Sequence, residues 1–201
     1  MSQYFSNDPT VESKERDIRY VINGTEFILK SDNGVFSKNE LDDGSRLLIE
    51  TLLPIDLGEK MLDLGCGYGP IGLTLAKLNN RLNVTCCDVN LRAVLLTKKN
   101  AKTLMLSNRV TCLQSDIYNK IEGQFDSIVS NPPIRAGKKV TYEIYVGAKN
   151  HLIDGGSLYV VIRKAQGALS VKDFLEEQYG NFEVLAKKKG FFVLKATKIV
   201  N

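Results

Sequence analysis

The stretch "MLDLGCGYGPIG", Met61 to Gly72, joins a short apolar run to a segment with helical spacing. The run Lys60–Leu64 reads as a strand. Pro70 suits the first turn of a following helix that runs to about Leu78, because the N–H that proline lacks has no partner at that position anyway. Glycines at 65, 67 and 69 let the backbone turn tightly and bring a ligand against bare N–H groups with no Cβ in the way. Gly67 to Gly72 also spells G-x-G-x-x-G, and Asp88 lies 21 residues after Gly67, as the dinucleotide fingerprint requires of the acid that binds ribose hydroxyls. The loop alone therefore leaves a nicotinamide enzyme and other nucleoside binders both open.

Two further acids favour a different nucleoside. Asp63, at the end of the strand before the loop, would repel a pyrophosphate and suit an ammonium group. That points to S-adenosylmethionine, which carries adenosine and an amino acid but no phosphate. In "LQSDIY", Asp116 ends the third strand, placed to accept a hydrogen bond from an adenine amino group. Asp63, Asp88 and Asp116, at three successive strand ends, read as one cofactor pocket.

Outward from this loop the chain alternates β-rich runs with helical periods, which predicts βαβ units and a parallel sheet. Seven strands are expected: Lys60–Leu64, Asn83–Asp88, Arg109–Gln114, Phe125–Ser130, Ser157–Arg163, Asn181–Ala186 and Phe191–Thr197. Asn90 is the expected N-cap of a helix whose apolar stripe is Leu91, Val94, Leu95, Ala101, Leu104 and Met105. Another helix, Ser170 to Gln178, buries Val171, Phe174 and Leu175 and stops at Gly180. The last two strands are separated only by "KKKG" and can pair only as an antiparallel hairpin. Upstream, "IRYVINGTEFILKS" reads as a hairpin about Asn23-Gly24, and Leu41 to Leu53 as a helix ended by Pro54. Residues 1–55 are expected to form a hairpin and helix extension of the same domain whose core is 56–201.

With 201 residues, 43% apolar and 25% charged, the chain fits one soluble domain. It has no run of about eighteen apolar residues and opens on the polar "MSQYFSNDPTVESKERD", so neither a membrane span nor a secretion signal is expected, and a cytoplasmic location is. Cys66, Cys86, Cys87 and Cys112 lack paired C-x-x-C spacing and read as free, buried thiols rather than metal ligands. The net charge of +4 is a mild bias. Its clusters matter more: Arg135, Lys138 and Lys139; Arg163 and Lys164; and the turn Lys187 to Lys189. The first two lie at strand ends, where an α/β fold puts its ligands.

The stretches "GVFSKNELDDGSRLLIE", "MLDLGCGYGPIG" and "SNPPIRAGK" together resemble the class I S-adenosylmethionine-dependent methyltransferases. More narrowly, they resemble the small-domain family that contains the ribosomal RNA guanine-N2 methyltransferases. The resemblance covers about residues 30 to 200. It implies an α/β fold: a Rossmann-like doubly wound seven-stranded sheet, mostly parallel, with an antiparallel C-terminal hairpin strand. It also implies that Asp63, Gly65, Gly67 and Gly69 line the methionine part of the cofactor, Asp88 the ribose and Asp116 the adenine, with Val89 in the same cofactor-binding set.

"SNPPIRAGK" then acquires a chemical reading. An exocyclic amine on a base is a poor nucleophile, because its lone pair is delocalised into the ring. Attack on a sulfonium methyl needs that lone pair aimed in line. Two acceptors that grip its two N–H bonds would achieve this: the side-chain oxygen of Asn131 and the backbone carbonyl of Pro132, stiffened by the paired prolines. Stabilisation grows as positive charge develops on the amine, and neither a metal nor a covalent nucleophile is required. Many amino-methyltransferases carry an aromatic residue after the second proline, where this chain has Ile134. Phe36 or Tyr142 are the candidates to stack the base instead, or Pro133 and Ile134 clamp it by aliphatic contact. Arg135 and Lys138 are candidates for substrate phosphates. His151, the only histidine, is expected to pack or face solvent rather than act as a base.

The expected activity is methyl transfer from S-adenosylmethionine to an exocyclic amine, foremost guanine N2 in ribosomal RNA. Adenine N6, a protein glutamine amide and a nicotinamide-dependent oxidoreductase are the alternatives. The sequence carries no signal of oligomeric state.

Overall fold

Successive residues of Lys60–Leu64 point to opposite faces, and both faces are covered: Met61 joins one hydrophobic cluster, Leu62 and Leu64 a second. The computed structural model describes residues 12–33, 35, 40–132 and 137–199, the side chains of Lys138, Gln166 and Leu169 excepted. In chain order its strands are Arg16–Ile22 (β1), Thr25–Ser31 (β2), Lys60–Leu64 (β3), Asn83–Asp88 (β4), Val110–Gln114 (β5), Phe125–Ser130 (β6), Leu152–Arg163 (β7), Glu183–Lys188 (β8) and Phe191–Thr197 (β9). The helices are Asp43–Leu52 (α1), Pro70–Leu78 (α2), Leu91–Thr103 (α3), Gly137–His151 (α4) and Ala168–Tyr179 (α5).

Seven strands form one sheet in the order β5-β4-β3-β6-β7-β9-β8. The pairs from β5 to β7 are parallel, and β9 runs antiparallel to both β7 and β8. This is the doubly wound, Rossmann-like sheet that the sequence predicts, with one reversed strand near its end. The chain steps outward from β3 to β5 and then returns to lay β6 on the other side of β3. Such a reversal leaves a crevice at the carboxyl ends of the two central strands, where ligands of this architecture bind.

Helices α1, α2 and α3 and the β1–β2 hairpin cover one face, and α4 and α5 the other. In the hairpin Ile18, Tyr20, Ile22, Phe27 and Leu29 alternate inward and are buried, each such side chain contributing about 1.5–3 kcal/mol. Asn23 and Gly24 both take positive φ, 48° and 74°, which matches the twist of the paired strands.

Four expectations are corrected. Lys187 and Lys188 belong to β8 rather than to a turn. The reversal is made by Lys189 and Gly190 alone, again both at positive φ. β7 begins at Leu152 rather than Ser157, since Leu152 already pairs with Phe125 before the ladder shifts. Arg109 precedes β5, and its guanidinium donates to the carbonyls of Ala76, Asn79 and Leu82 (2.9, 3.2 and 2.8 Å), cations being favoured where helix α2 leaves its carbonyls unpaired.

The fourth correction concerns α3. Asn90 does cap it, its side chain accepting from Arg92 N, but Leu91, Leu95 and Met105 of the expected stripe are exposed. The buried face is Ala93, Val94, Leu96, Thr97, Asn100 and Ala101. Two polar residues sit on it because they bond backbone groups of the glycine loop, as set out below. All four cysteines are free; Cys66, Cys86 and Cys87 are buried and Cys112 half-buried. Among the described residues no helix is long and apolar enough to cross a membrane.

Candidate active site

The glycine loop is fixed by bonds from every side. Gly65 N and Cys66 N both donate to the Cys87 carbonyl at 2.9 Å, so the loop leaves β3 bent over the end of β4. Gly67 N donates to Asp88 Oδ2 at 2.9 Å, and Asn90 N to Asp88 Oδ1 at 2.9 Å. Helix α3 supplies the rest: Thr97 Oγ1 donates to Gly67 O (2.8 Å), and Asn100 Nδ2 to Tyr68 O (2.8 Å) and to Lys30 O (2.9 Å). Buried carbonyls need such partners, which is why a helix face turned to a loop carries Thr97 and Asn100 rather than leucines.

The glycines of the loop are not equivalent. Gly65 and Gly67 have φ of 75° and 58°; among the described residues a Cβ at Gly65 would meet nothing within 4 Å, and at Gly67 only Val35 Cγ1 at 3.9 Å. No described side chain therefore covers this bare backbone at the crevice. Gly72, by contrast, lets α2 close on the sheet: a Cβ there would lie 2.8 Å from Asp63 Oδ2 and 2.9 Å from Cys86 Sγ. Gly69, expected beside the methionine part, is the N-cap of α2, and a Cβ there would run into Leu73 and Thr97. Its lack of a side chain is required by the loop's own packing.

The three acids differ in depth. Asp63 is 1% exposed; its Oδ2 accepts from Gly72 N at 2.8 Å, and its Oδ1 is buried with no hydrogen-bond partner among the described residues. Burial pushes its carboxyl up to about 7, against the Gly72 N–H and with the help of the nearby Asp88 charge. Asp88 is also shifted up by burial, opposed by the N–H groups of Asn90, Gly67 and Val89. Val89 is half-buried and its carbonyl accepts from Gln114 Nε2 at 2.9 Å. Asp116, beyond the end of β5, is exposed. The sheet register, with Asp63 beside Cys86 and Asp88 beside Gln114, sets the acids along one edge, in strand order.

The same edge holds the Asn-Pro corner. β6 ends at Ser130, which is fully buried and donates its Oγ to the Leu64 carbonyl at 2.8 Å, tying the corner to the root of the glycine loop. Asn131 and Pro132 follow, both half-buried. Asn131 Nδ2 donates to Asp42 Oδ1 (3.1 Å) and to Ser45 Oγ (3.0 Å). With the nitrogen held by two acceptors the amide has one orientation, and no donor among the described residues reaches its Oδ1. Asp42 also caps α1, its Oδ1 accepting from Ser45 N at 2.9 Å, while its Oδ2 is buried without a partner among the described residues.

Sequence reasoning gave no role to Asp42, Ser45, Thr97, Asn100 or Ser130, although Asp42, Ser45 and Ser130 lie within the stretches that carry the resemblance. Phe36, Pro133, Ile134 and Arg135 lie outside the described residues, as does the side chain of Lys138. Tyr142, the other stacking candidate, packs on Phe174 with ring centroids 4.1 Å apart, between α4 and α5. His151 is stacked on Tyr118 at 4.5 Å and its Nδ1 bonds the Gly147 carbonyl, a packing role as expected.

Comparison with known proteins bears on the family and the fold. The chain is 42% identical to the uncharacterized protein YbxB of Bacillus subtilis over 98% of both chains. It is 40% identical to the ribosomal RNA small subunit methyltransferase C of Photorhabdus laumondii over 82% of this chain and 48% of that protein. Among solved structures it superposes with a TM-score of 0.82 on the T. thermophilus 16S rRNA N2 G1207 methyltransferase in complex with AdoMet and guanosine, at 31% identity, covering 94% of this chain and 52% of that one. The chain thus spans about half the length of these ribosomal RNA methyltransferases. The methyltransferase small domain matches residues 26–195, and the chain belongs to that family, with the fold of the class I S-adenosylmethionine-dependent methyltransferases.

Proposed function

We propose that the protein transfers a methyl group from S-adenosylmethionine to N2 of a guanine in small-subunit ribosomal RNA. The observation that carries this reading is Asn131: its nitrogen is tied down by Asp42 and Ser45, so that its oxygen is presented as an acceptor beside the glycine loop. The residues fit the cofactor on their own terms. Gly65 and Gly67 offer open backbone, Asp63 an unpartnered buried oxygen, and Asp88 and Asp116 two carboxylates in line along the edge. A guanine target also agrees with the relatives' named substrate.

Bound S-adenosylmethionine supplies the electrophilic methyl carbon on its sulfonium sulfur. Asn131 Oδ1 and the Pro132 carbonyl accept the two N–H bonds of the guanine amine and hold its lone pair out of conjugation, aimed at that carbon. As positive charge grows on the amine, both acceptors bind it more tightly, which stabilises the transition state more than the ground state. Asp42 and Ser45 prevent the amide from presenting its NH2 group instead, which would repel the substrate amine. Neither acceptor is a base, so the amine's proton passes to solvent. The base must be unpaired, because in a duplex its amine is hydrogen-bonded and stacked. The relatives named above are bacterial, and bacterial ribosomes are assembled in the cytoplasm, so on this reading the protein acts there.

Small ribosomal subunits from a strain lacking the gene, incubated with the protein and labelled S-adenosylmethionine, should gain label in a guanine located by mass mapping. Asn131→Ala should reduce the rate by roughly 10²- to 10³-fold, as for loss of one preorganised polar contact. Label in adenine or in a protein glutamine would move the activity to one of the alternative amines, and transfer by Asn131→Ala at the wild-type rate would remove the catalytic assignment.

A further inference from the structure

The C-terminal hairpin returns its tip to the catalytic edge. Because β9 runs antiparallel to β7 with Phe191 opposite Arg163, the Lys189-Gly190 turn lies at the carboxyl ends of the parallel strands, and Lys164 N donates to Gly190 O at 2.8 Å. The tip also abuts the helix end that holds Asn131. Lys189 Nζ reaches Asp43 Oδ1 at 2.9 Å, next in sequence to Asp42, and a Cβ on Gly44 would come within 3.0 Å of the Phe191 ring. Two basic clusters far apart in sequence, Arg163-Lys164 and Lys187 to Lys189, are thereby placed side by side, all five exposed.

Acids beneath the tip hold it in place without neutralising it. Lys188 pairs with Glu50 (3.6 Å) and Lys189 with Asp43. Arg163, Lys164 and Lys187 are within salt-bridge distance of no carboxylate among the described residues. Instead, Arg163 lies over the Phe191 ring at 4.8 Å and Lys187 over Phe192 at 5.1 Å. A guanidinium placed over a ring face, rather than paired with a carboxylate, keeps donors available for phosphate oxygens. At the opposite ends of the strands the charges are mixed, with exposed Arg81 on Glu59 at 3.7 Å and half-buried Lys198 on Asp154 at 3.4 Å. The tip thus carries an excess of positive charge on the side where the base must enter.

We propose that Arg163, Lys164 and the Lys187–Lys189 tip form the docking surface for the phosphates of the single-stranded RNA that flanks the methylated base. The inference rests on the reading of the protein as an RNA methyltransferase. The surface fixes the strand so that one unstacked base reaches Asn131, and carries no sequence preference itself.

The test is Lys164→Glu with Lys187→Glu, against Lys60→Glu with Arg81→Glu, an equal charge change at the far edge. Binding of a labelled single-stranded RNA oligomer is followed against KCl concentration, alongside methylation of small subunits from the deletion strain and calorimetric binding of S-adenosylmethionine. For the tip variant, the salt slope of RNA binding should fall by about 1.4, since each phosphate contact to a single strand contributes about 0.7. Its KM for subunits should rise roughly tenfold or more, with kcat and cofactor affinity unchanged, as for the loss of phosphate contacts. The far-edge variant should behave as wild type. An unchanged slope and KM in the tip variant, or an equal loss in the far-edge variant, would overturn the docking surface while leaving the enzyme reading intact. Wild-type protein that binds RNA through the tip but methylates no subunit would sink the enzyme reading and leave the surface standing.

Discussion

Replacing Ser45 or Asp42 with alanine should slow methyl transfer without weakening cofactor binding, in a graded series set by the bonds each makes to Asn131. Ser45 Oγ accepts one neutral hydrogen bond from Asn131 Nδ2 at 3.0 Å. Such a bond is worth about 1 kcal/mol net, so Ser45→Ala should lower kcat about fivefold if all of it is spent on orientation. Asp42 Oδ1 accepts from the same nitrogen at 3.1 Å with a formal charge. A charged acceptor contributes about 1.5–3 kcal/mol, and Asp42→Ala should lower kcat roughly 10- to 150-fold. Because Asp42 also caps α1, that variant should lose about 1 kcal/mol of stability, or about 2–4 °C in Tm. Asp42→Asn keeps a neutral oxygen that can accept from both Asn131 and Ser45 N, and should run about fivefold faster than Asp42→Ala, as for one neutral hydrogen bond regained.

Single-turnover transfer of labelled methyl to small subunits reads these effects, with calorimetry of S-adenosylmethionine as the control. The decisive measurement is a double-mutant cycle. If Asp42 acts only through Asn131, then Asp42→Ala costs nothing further in an Asn131→Ala background, since there is no amide left to orient. Should Asp42→Ala slow the Asn131→Ala enzyme by the same factor it slows the wild type, Asp42 must touch substrate or cofactor independently and the positioning role is refuted. A wild-type kcat in both Asp42→Ala and Ser45→Ala refutes it equally.

The Asp63 carboxyl titrates near 7 in the folded protein because it is buried, far above its unfolded value of about 3.9. A raised folded pKa gives a contribution that is complete below about pH 4 and lost as pH rises through about 7; a shift of about three units is worth on the order of 4 kcal/mol. The ligand-free protein should therefore melt at lower temperature at pH 8 than at pH 5 through this group, and Asp63→Asn should remove most of the difference in a thermal scan. Conversely, an ammonium group favours the carboxylate, so S-adenosylmethionine should bind more tightly at pH 8 than at pH 6, with release of a proton near pH 7 seen as a buffer-dependent binding enthalpy. Gly72→Ala would stabilise an open helix by about 1 kcal/mol, but here the added carbon lies 2.8 Å from Asp63 Oδ2, and overpacking should instead destabilise by about 1–3 kcal/mol, read as a lower midpoint in urea. Asn100→Ala removes bonds to Lys30 N, Lys30 O and Tyr68 O (2.7, 2.9 and 2.8 Å). It should lower stability by at least about 1–3 kcal/mol, the range for one buried polar group left unpaired, in the same urea experiment.

The backbone of this fold was legible because local rules and global packing agree along most of the chain. Lys60–Leu64 alternates across the sheet, Pro70 opens a helix, and Gly180 ends one in the left-handed region at φ 71°. Each of these signals is read within a few residues, and each has one structural solution. The misread stripe of α3 marks where that logic stops. Leu91, Leu95 and Met105 are apolar yet exposed, while Thr97 and Asn100 are polar yet buried, because the buried face meets the glycine loop, whose carbonyls those two residues bond, as well as the core that takes Ala93, Leu96 and Ala101. A hydrophobic period records affinity for other side chains and is blind to affinity for backbone.

The same blindness divides the candidate site. Asn131 could be picked out because amine chemistry demands two acceptors, and the Asn-Pro-Pro text supplies them locally. What determines which atom Asn131 presents is 86 and 89 residues away, in Ser45 and Asp42, and neither residue type is unusual at a helix start, where Asp and Ser are common caps. Asp42 is doubly concealed, because its capping bond to Ser45 N already explains its presence. Only the fold shows one oxygen shared between capping α1 and holding the amide. The helix start and the amide are thereby coupled. Any substitution that frays the first turn of α1 should also release Asn131, and a loss of rate without loss of cofactor binding can arise from a residue that touches neither.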